Sequence, residues 1–530
     1  MNKQEYQRLI KIEDRIQRIV KDDLGLKVCD IEWDVVPAQK MLEIMAYNIP
    51  TNISNWKYGR DYERLRTIYD QLDPNLPYEV VIHDNPARAY LMSTNTFAVQ
   101  VLVMAHVFGH VNFFTENKWF QNSRQDIIAL MGSANERFNE YERIYGIDAI
   151  EQIVDAGHAL QWHSNPFEIE TENERRIRVF EQKKMINTPD VSEFNDLVSR
   201  SIPSDSAANF NNELWKSLKL KTPVEPVEDI LRYVIDNSRI LEDWQKDILE
   251  ILRTNGQYYW PIMRTRYMNE GYATFIHEYI LEKLFNEKLL NAAEHGQFNY
   301  SNSLVKAKNP FSMNPYHIGS EIWKDMKNRW DKGQHGSEWN ECKNTIKIEE
   351  WDTKEMFGME KIKEVMRTYT DWFFMQDFLT NELVEKMGLY IYVHQQTSPV
   401  TIDAIVTDFN SDETRRMIVN SFANSGIPKI DIINGNHMST GSLLLEHRFA
   451  GLPLDKSYCI STMKHIHSIW GRPVHLKTKT TKGKHIEYRV PLEPNTKPPR
   501  QPDIGAGIGA PTPRRSPLQH NFTLDLNSIK

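Results

Sequence analysis

The sequence predicts an α+β protein in which a large, mainly α-helical N-terminal domain (residues 1–396) precedes a small α+β module (399–492) and a disordered Pro/Gly-rich tail (493–530). Three observations lead there. From about Thr96 to Leu290 the pattern is mainly helical, with breaks near "NTPD" (187–190), "RSIPSD" (200–205) and "KTPVEPVED" (221–229). After Pro399 the character changes to short helix and strand patterns separated by turn residues. The end, "PNTKPPRQPDIGAGIGAPTPRRSP", has too little apolar surface to offset the entropy of ordering it.

The elements follow in order. "EYQRLIKIEDRIQRIVKDDLGL" (5–26) sets Leu9, Ile12, Ile16 and Ile19/Val20 on one stripe and stops at Gly25, which predicts an amphipathic helix. "YEVVIHDNPARAYLMS" (78–93) reads as two extended segments around an Asn-Pro turn. The helical region follows, then a mixed helix and loop stretch to about Gln396. In the C-terminal module, "DETRRMIVNSFANSG" predicts a helix, "PKIDIINGN" and "TGSLLLEHRF" strands, "LDKSYCISTMKHIHSIWG" a second helix and "PVHLKTKT" a further strand.

Composition bounds the function. The chain is 530 residues with 40% hydrophobic, 11% aromatic and 26% charged residues, a globular mixture. A net charge of −8 gives no global electrostatic reason to bind nucleic acid or an anionic membrane. Cys29, Cys342 and Cys459 are too few and too scattered for a disulfide framework, which points to a reducing, cytoplasmic home. The charged N-terminus carries no apolar signal core, and no run of 18 apolar residues suggests a membrane segment.

The chemistry centres on "VMAHVFGHVNFFTEN" (103–117). His106 and His110 are one helical turn apart, so both imidazoles project from one face and can grip one ion. Two separately satisfied core histidines would leave the same trace. A zinc peptidase would place glutamate after the first histidine, and here that residue is Val107. In "YMNEGYATFIHEYI" (267–280), Glu270 and His277 lie two turns apart on one face. The "NEG" segment resembles the third-ligand segment of gluzincin metallopeptidases, which implies Glu270 as third ligand; a first-turn carboxylate favouring the helix dipole is the structural alternative.

A third helical stretch, "DAIEQIVDAGHALQWH" (148–163), aligns Glu151, Asp155 and His158 on one face. Facing helices in bundles build metal sites from such donors. His158 joins His106, His110, Glu270 and His277 as a candidate ligand. If water is activated, Glu151 or Asp155 is the candidate base that Val107 does not provide. The cofactor expected is a divalent metal, with zinc the first candidate; a polar surface stripe is the plain reading of the third helix.

With these motifs in view, the chain resembles the SpoVR family (stage V sporulation protein R-like proteins). The resemblance is carried by "YGRDYERL" (58–65), "NPARAYLMSTNTFAVQVLVMAHVFGHVNFF" (85–114), "YGIDAIEQIVDAGHALQWH" (145–163), "LEDWQKDILEILR" (241–253), "MNEGYATFIHEYI" (268–280) and "NPYHIGSEIWKDMKNRWDKGQHGSEW" (314–339). It implies association with sporulation, in particular spore cortex formation, or with stress responses. It also implies partnership with a PrkA-type serine kinase and a protein bearing a von Willebrand-like domain. Two function classes follow as expectations: a metal-dependent hydrolase, or a non-catalytic regulatory or scaffold protein whose histidine–carboxylate cluster is structural. The family's usual "FFKNN" is here "FFTEN" and its NEGW is "NEGY", while the ligand-type residues are present.

Overall fold

The computed structural model describes residues 3–48, 50–53, 57–71, 79–165, 167, 172–187, 223, 225–308, 312–398 and 401–491. The tail expected to be disordered, 493–530, lies outside the described residues. The elements that matter below are helices α1 (Lys3–Arg18), α2 (Phe97–Glu116), α3 (Ile147–Leu160), α4 (Arg266–Asn286), α5 (Ala292–Val305), α6 (Pro315–Asp331), α7 (Gly358–Thr368), α8 (Ser411–Ser421) and α9 (Lys456–Trp470). The strands are β1 (Ile31–Val36), β2 (Glu79–Ile82), β3 (Ala87–Met92), β4 (Ile391–Ser398), β5 (Thr401–Asp408), β6 (Ile430–His437), β7 (Ser442–His447), β8 (Val474–Lys479) and β9 (His485–Val490). The architecture is α+β and mainly helical, as the hydrophobic periodicity predicts.

Two compact units divide the chain. The first takes residues up to Asn135 together with Tyr258–Gly426; the second takes Glu136–Gln257 and the described residues from Ile427 on. Helix α2 is the centre of the first unit. Every residue from Ala98 to Phe114 on it is buried, so the helix is apolar on all sides because it has no solvent face. By length and composition it is apolar enough to cross a membrane, yet 94% of that window is buried inside the unit. The expectation that no segment would meet that test is therefore narrowed: His106, His110 and Asn112 are polar but uncharged by formal count, and the helix passes.

Around α2 pack the predicted amphipathic helix α1, through Leu9, Ile12 and Ile16, and the small sheet β1-β3-β2, with β1 parallel and β2 antiparallel to β3. Two contacts set the helix crossings. A Cβ on Gly109 of α2 would sit 2.7 Å from the Ala273 Cα of α4. A Cβ on Gly271 of α4 would sit 2.3 and 2.4 Å from backbone atoms of Gly319 on α6. No side chain fits at either point, so the backbones approach closely and bring three helices within reach of one another. Trp323 locks the second crossing, donating its indole N–H to the Met268 carbonyl at 3.0 Å.

The second unit holds a four-stranded sheet of order β6-β7-β8-β9. Helix α9 makes the crossover between the parallel strands β7 and β8, opened by the Asp455 cap and closed by the left-handed Gly471. Strand β9, with its alternating burial, went unread in the sequence, as did the β4–β5 hairpin.

The division into compact units differs from the expected module boundary at Pro399 in two respects. Helix α8 belongs to the helical unit, because Ile418 and Phe422 bury into its core, Phe422 against Tyr267 at 4.8 Å. The sheet in turn is grouped with Glu136–Gln257: Val227 and Ile432 exchange backbone hydrogen bonds at 3.0 and 2.8 Å, and the Ser238 hydroxyl donates to the Ile469 carbonyl. Cutting near Gln396 would strip those groups of their partners.

Candidate metal centre

Helix α2 starts at Thr96, whose hydroxyl accepts from the Val99 amide, and carries His106 and His110 toward α4 on either side of Gly109. Helix α4 starts beneath Asp371, whose carboxylate accepts the Tyr267 and Met268 amides at 2.9 and 2.8 Å. With that capping role filled, Glu270 is free to turn inward. Its side chain is 3% exposed and faces both histidines.

The donors converge. Glu270 Oε2 lies 3.7 Å from His106 Nε2 and 3.4 Å from His110 Nε2. A second carboxylate joins from the edge strand β2: Glu79 Oε1 lies 3.1 Å from His106 Nε2 and 3.6 Å from His110 Nε2. All four side chains are 8% exposed or less. Tetrahedral bonds of about 2.1 Å imply ligand–ligand separations of about 3.4 Å; the four histidine–carboxylate contacts bracket that value, and Glu79, His106 and His110 have donor atoms within 4.8 Å of one another. His106 Nε2, His110 Nε2 and Glu270 Oε2 are buried without a hydrogen-bond partner among the described residues, an arrangement costly to maintain unless something sits between them. The set fits a divalent ion.

Outer partners orient the rings. Asn269 Oδ1 accepts from His110 Nδ1 at 2.9 Å, which aims Nε2 at the two carboxylates, where an entering ion would displace its proton. His106 Nδ1 meets His277 Nδ1 at 2.7 Å, and His277 Nε2 meets Asn302 Oδ1 at 3.1 Å. Asn302 donates its amide to Glu278 at 2.9 Å, so its oxygen must accept from His277 Nε2–H. His277 Nδ1 is then an acceptor, His106 Nδ1 carries the proton, and His106 Nε2 is left to face the carboxylates. Lys306 and Lys324 hold Glu278 at 3.2 and 2.6 Å, closing the chain.

Burial opposes charge at Glu270, His110, His277 and Tyr316. It would raise the Glu270 carboxyl, but His106 and His110 outweigh it and hold the group at about 2. It would lower the His110 imidazole, but Glu270 and Glu79 reverse that and lift it to about 10. Burial and then His106 bring His277 down to about 3, in keeping with a neutral ring inside the hydrogen-bond chain. Burial, followed by the charges of Glu270 and Glu79, pushes the Tyr316 phenol well above its ordinary value, so it stays protonated beside the cluster.

Of the residues the sequence singles out, the structure brings His106, His110 and Glu270 together and sets His277 behind His106 as an orienting partner. Glu151, Asp155 and His158 are not among the residues brought together here. They lie on α3 in the second unit, where burial and the charges of Asp155, Glu142 and Asp148 raise the Glu151 carboxyl and His158 pairs with Gln161 at 3.2 Å. Helical phasing selects a face of α3 but does not say which neighbours that face meets. Glu79 is the member that sequence reasoning missed. It stands alone at the start of β2 with no periodic relation to the histidines, and a carboxylate on a strand whose other residues are Val, Val and Ile was the one signal available.

The SpoVR like protein family model matches residues 3–427 and the SpoVR-like C-terminal domain model residues 428–481, a division that falls where the second unit resumes at Ile427. The "Uncharacterized protein YcgB" of Escherichia coli (strain K12) is 27% identical over 473 residues, covering 85% of this chain and 88% of that protein. No solved structure matches the chain.

Proposed function

This chain belongs to the SpoVR family, and from that premise we propose that its helical unit is a metal-dependent hydrolase centre in which His106, His110 and Glu270 hold a divalent ion, zinc first among them, while Glu79 serves as general base. The observation that carries it is the set of four donor contacts between 3.1 and 3.7 Å around buried nitrogens and an oxygen that lack other partners. A divalent ion bound there supplies Lewis acidity at neutral pH. Glu79 then takes the role that Val107 leaves open: its carboxylate reaches the cluster from β2 rather than from the position after the first histidine, and accepts a proton from water. Tyr316, protonated, donates a hydrogen bond toward developing negative charge. His277, Asn302 and Glu278 keep His106 in the tautomer whose Nε2 is free.

The substrate class is peptide or peptidoglycan-related bonds, in keeping with an association with spore cortex formation. A second reading draws on the near-complete burial of all four donors: Glu79 is then a fourth ligand, the site is closed, and the protein is a regulatory or scaffold component beside a PrkA-type kinase and a protein with a von Willebrand-like domain.

Elemental analysis of untagged full-length protein separates the two. Under the hydrolase reading, Glu79→Gln retains as much zinc as the wild type and His106→Ala loses it; turnover, where a substrate is found, falls by about 10²–10⁴-fold in Glu79→Gln. Loss of zinc in both variants favours the closed site. Wild-type protein that binds no divalent metal overturns both.

A further inference from the structure

The sheet of the second unit carries a separate group of donors. His437, at the end of β6, lies opposite Ser442 on β7. Leu444, two residues on, lies opposite His475 on β8, and His475 lies opposite Arg489 on β9, two residues from Glu487. Steps of two along a strand keep to one face, so His437, His475 and Glu487 share a face of the sheet. Ser442, the small residue between the two histidines, leaves room for the rings to approach, and their centroids lie 5.0 Å apart.

One ring nitrogen of each histidine and a Glu487 oxygen lie within 4.8 Å of one another. His475 Nδ1 is 2.7 Å from Glu487 Oε1, and the His475 side chain is 7% exposed against 40% for Glu487. His437 Nε2 is shielded from solvent and has no hydrogen-bond partner among the described residues. Irregular register between Asn434 and His437, followed by left-handed Met438 and Ser439, turns the end of β6 and re-aims the His437 ring.

We propose that His437, His475 and Glu487 form a second metal site, a three-donor seat for a divalent transition ion that ties β6 to β8 and β9 and leaves one coordination position toward solvent. Two imidazoles with one carboxylate suit zinc, nickel or copper, whereas magnesium and calcium favour all-oxygen shells. In the metal-free protein the His475 Nδ1 proton bridges to Glu487. An entering ion takes the Nδ1 lone pair while the ring proton moves to Nε2 by exchange with solvent, so the ring stays neutral; the two donors then separate from 2.7 Å toward about 3.4 Å, a movement that the exposed Glu487 side chain permits. Three protein donors leave the remaining position for water or for a donor atom of another molecule. None of these residues takes part in the buried cluster, so the site stands whether or not the hydrolase reading does.

The test is zinc stoichiometry by equilibrium dialysis of chelator-treated, untagged full-length protein, with cobalt(II) absorption as a second readout. Expected is that His437→Ala, His475→Ala and Glu487→Ala each bind one zinc per chain fewer than the wild type, and that adding His106→Ala removes a further one. Should His475→Ala fail to fold, Glu487→Ala at its exposed position still gives the answer. Variants that match the wild type in zinc uptake and cobalt spectrum overturn the proposal. Loss of zinc in His106→Ala with no change in the sheet variants overturns it while leaving the buried centre standing.

Discussion

The buried cluster of the helical unit and the half-exposed cluster of the sheet solve the same chemical problem differently. In the first, four donors from two helices and a strand meet at 8% exposure or less, and the histidine rings are held from behind by Asn269 and by the chain His277, Asn302, Glu278. In the second, three donors sit on one sheet face, one of them 40% exposed. The difference teaches what each cluster depends on. Buried charges without water depend on one another, so the first cluster is inseparable from the stability of its unit. The second keeps its one carboxylate, Glu487, where water already solvates the charge, and the fold has little at stake in that residue.

The largest expected break in that contrast is His106→Ala in chelator-treated protein. It leaves the buried Glu79 and Glu270 carboxylates with one imidazole fewer, at a cost of about 3–5 kcal/mol by urea unfolding. A cost below about 1 kcal/mol would mean that the cluster is not held by mutual charge. Next is Gly271→Ala, whose Cβ would meet Gly319 backbone that has no rotamer to move; about 3 kcal/mol is expected, against a neutral or slightly stabilising effect of up to about 1 kcal/mol for Gly296→Ala, which meets nothing within 4 Å.

Acid sharpens the comparison further. Burial would raise Glu278, but Lys306 and Lys324 hold it near 2 against an ordinary 4.5. A depressed carboxyl stabilises the fold above its unfolded value, so this contribution is intact above about pH 4.5 and is lost as pH falls toward 2. The whole gap corresponds to about 3 kcal/mol. Between pH 5 and pH 3 about 2 kcal/mol of it is lost, so over that interval Glu278→Gln should lose about 2 kcal/mol less than the wild type by urea unfolding; equal losses would remove Glu278 from the account. The smallest effect belongs to the sheet: Glu487→Ala should change unfolding stability by less than about 0.5 kcal/mol while altering zinc uptake, and a large destabilisation would show that the second cluster is structural after all.

Sequence and tertiary structure divide the work along a physical line. Helical periodicity, with one turn every 3.6 residues, was enough to determine that α2 and α4 exist, that His106 and His110 share a face, and that Glu270 and His277 share another. Periodicity says which face, not how far along it. His277 is seven residues from Glu270, about 10.5 Å along the axis, and it stands behind His106 instead of beside the carboxylate. The same rule put Glu151, Asp155 and His158 on one face of α3, correctly as local geometry, without saying which neighbours that face would meet. The family resemblance was legible too, in motifs spread over most of the chain. What only the tertiary structure decided is that β2 carries Glu79 to the histidines, that Gly109, Gly271 and Gly319 let the helices close around them, and that His437, His475 and Glu487 share a sheet face. Local patterns arise from bonds within a few residues; a metal seat arises from where separate elements cross, and that is settled by packing.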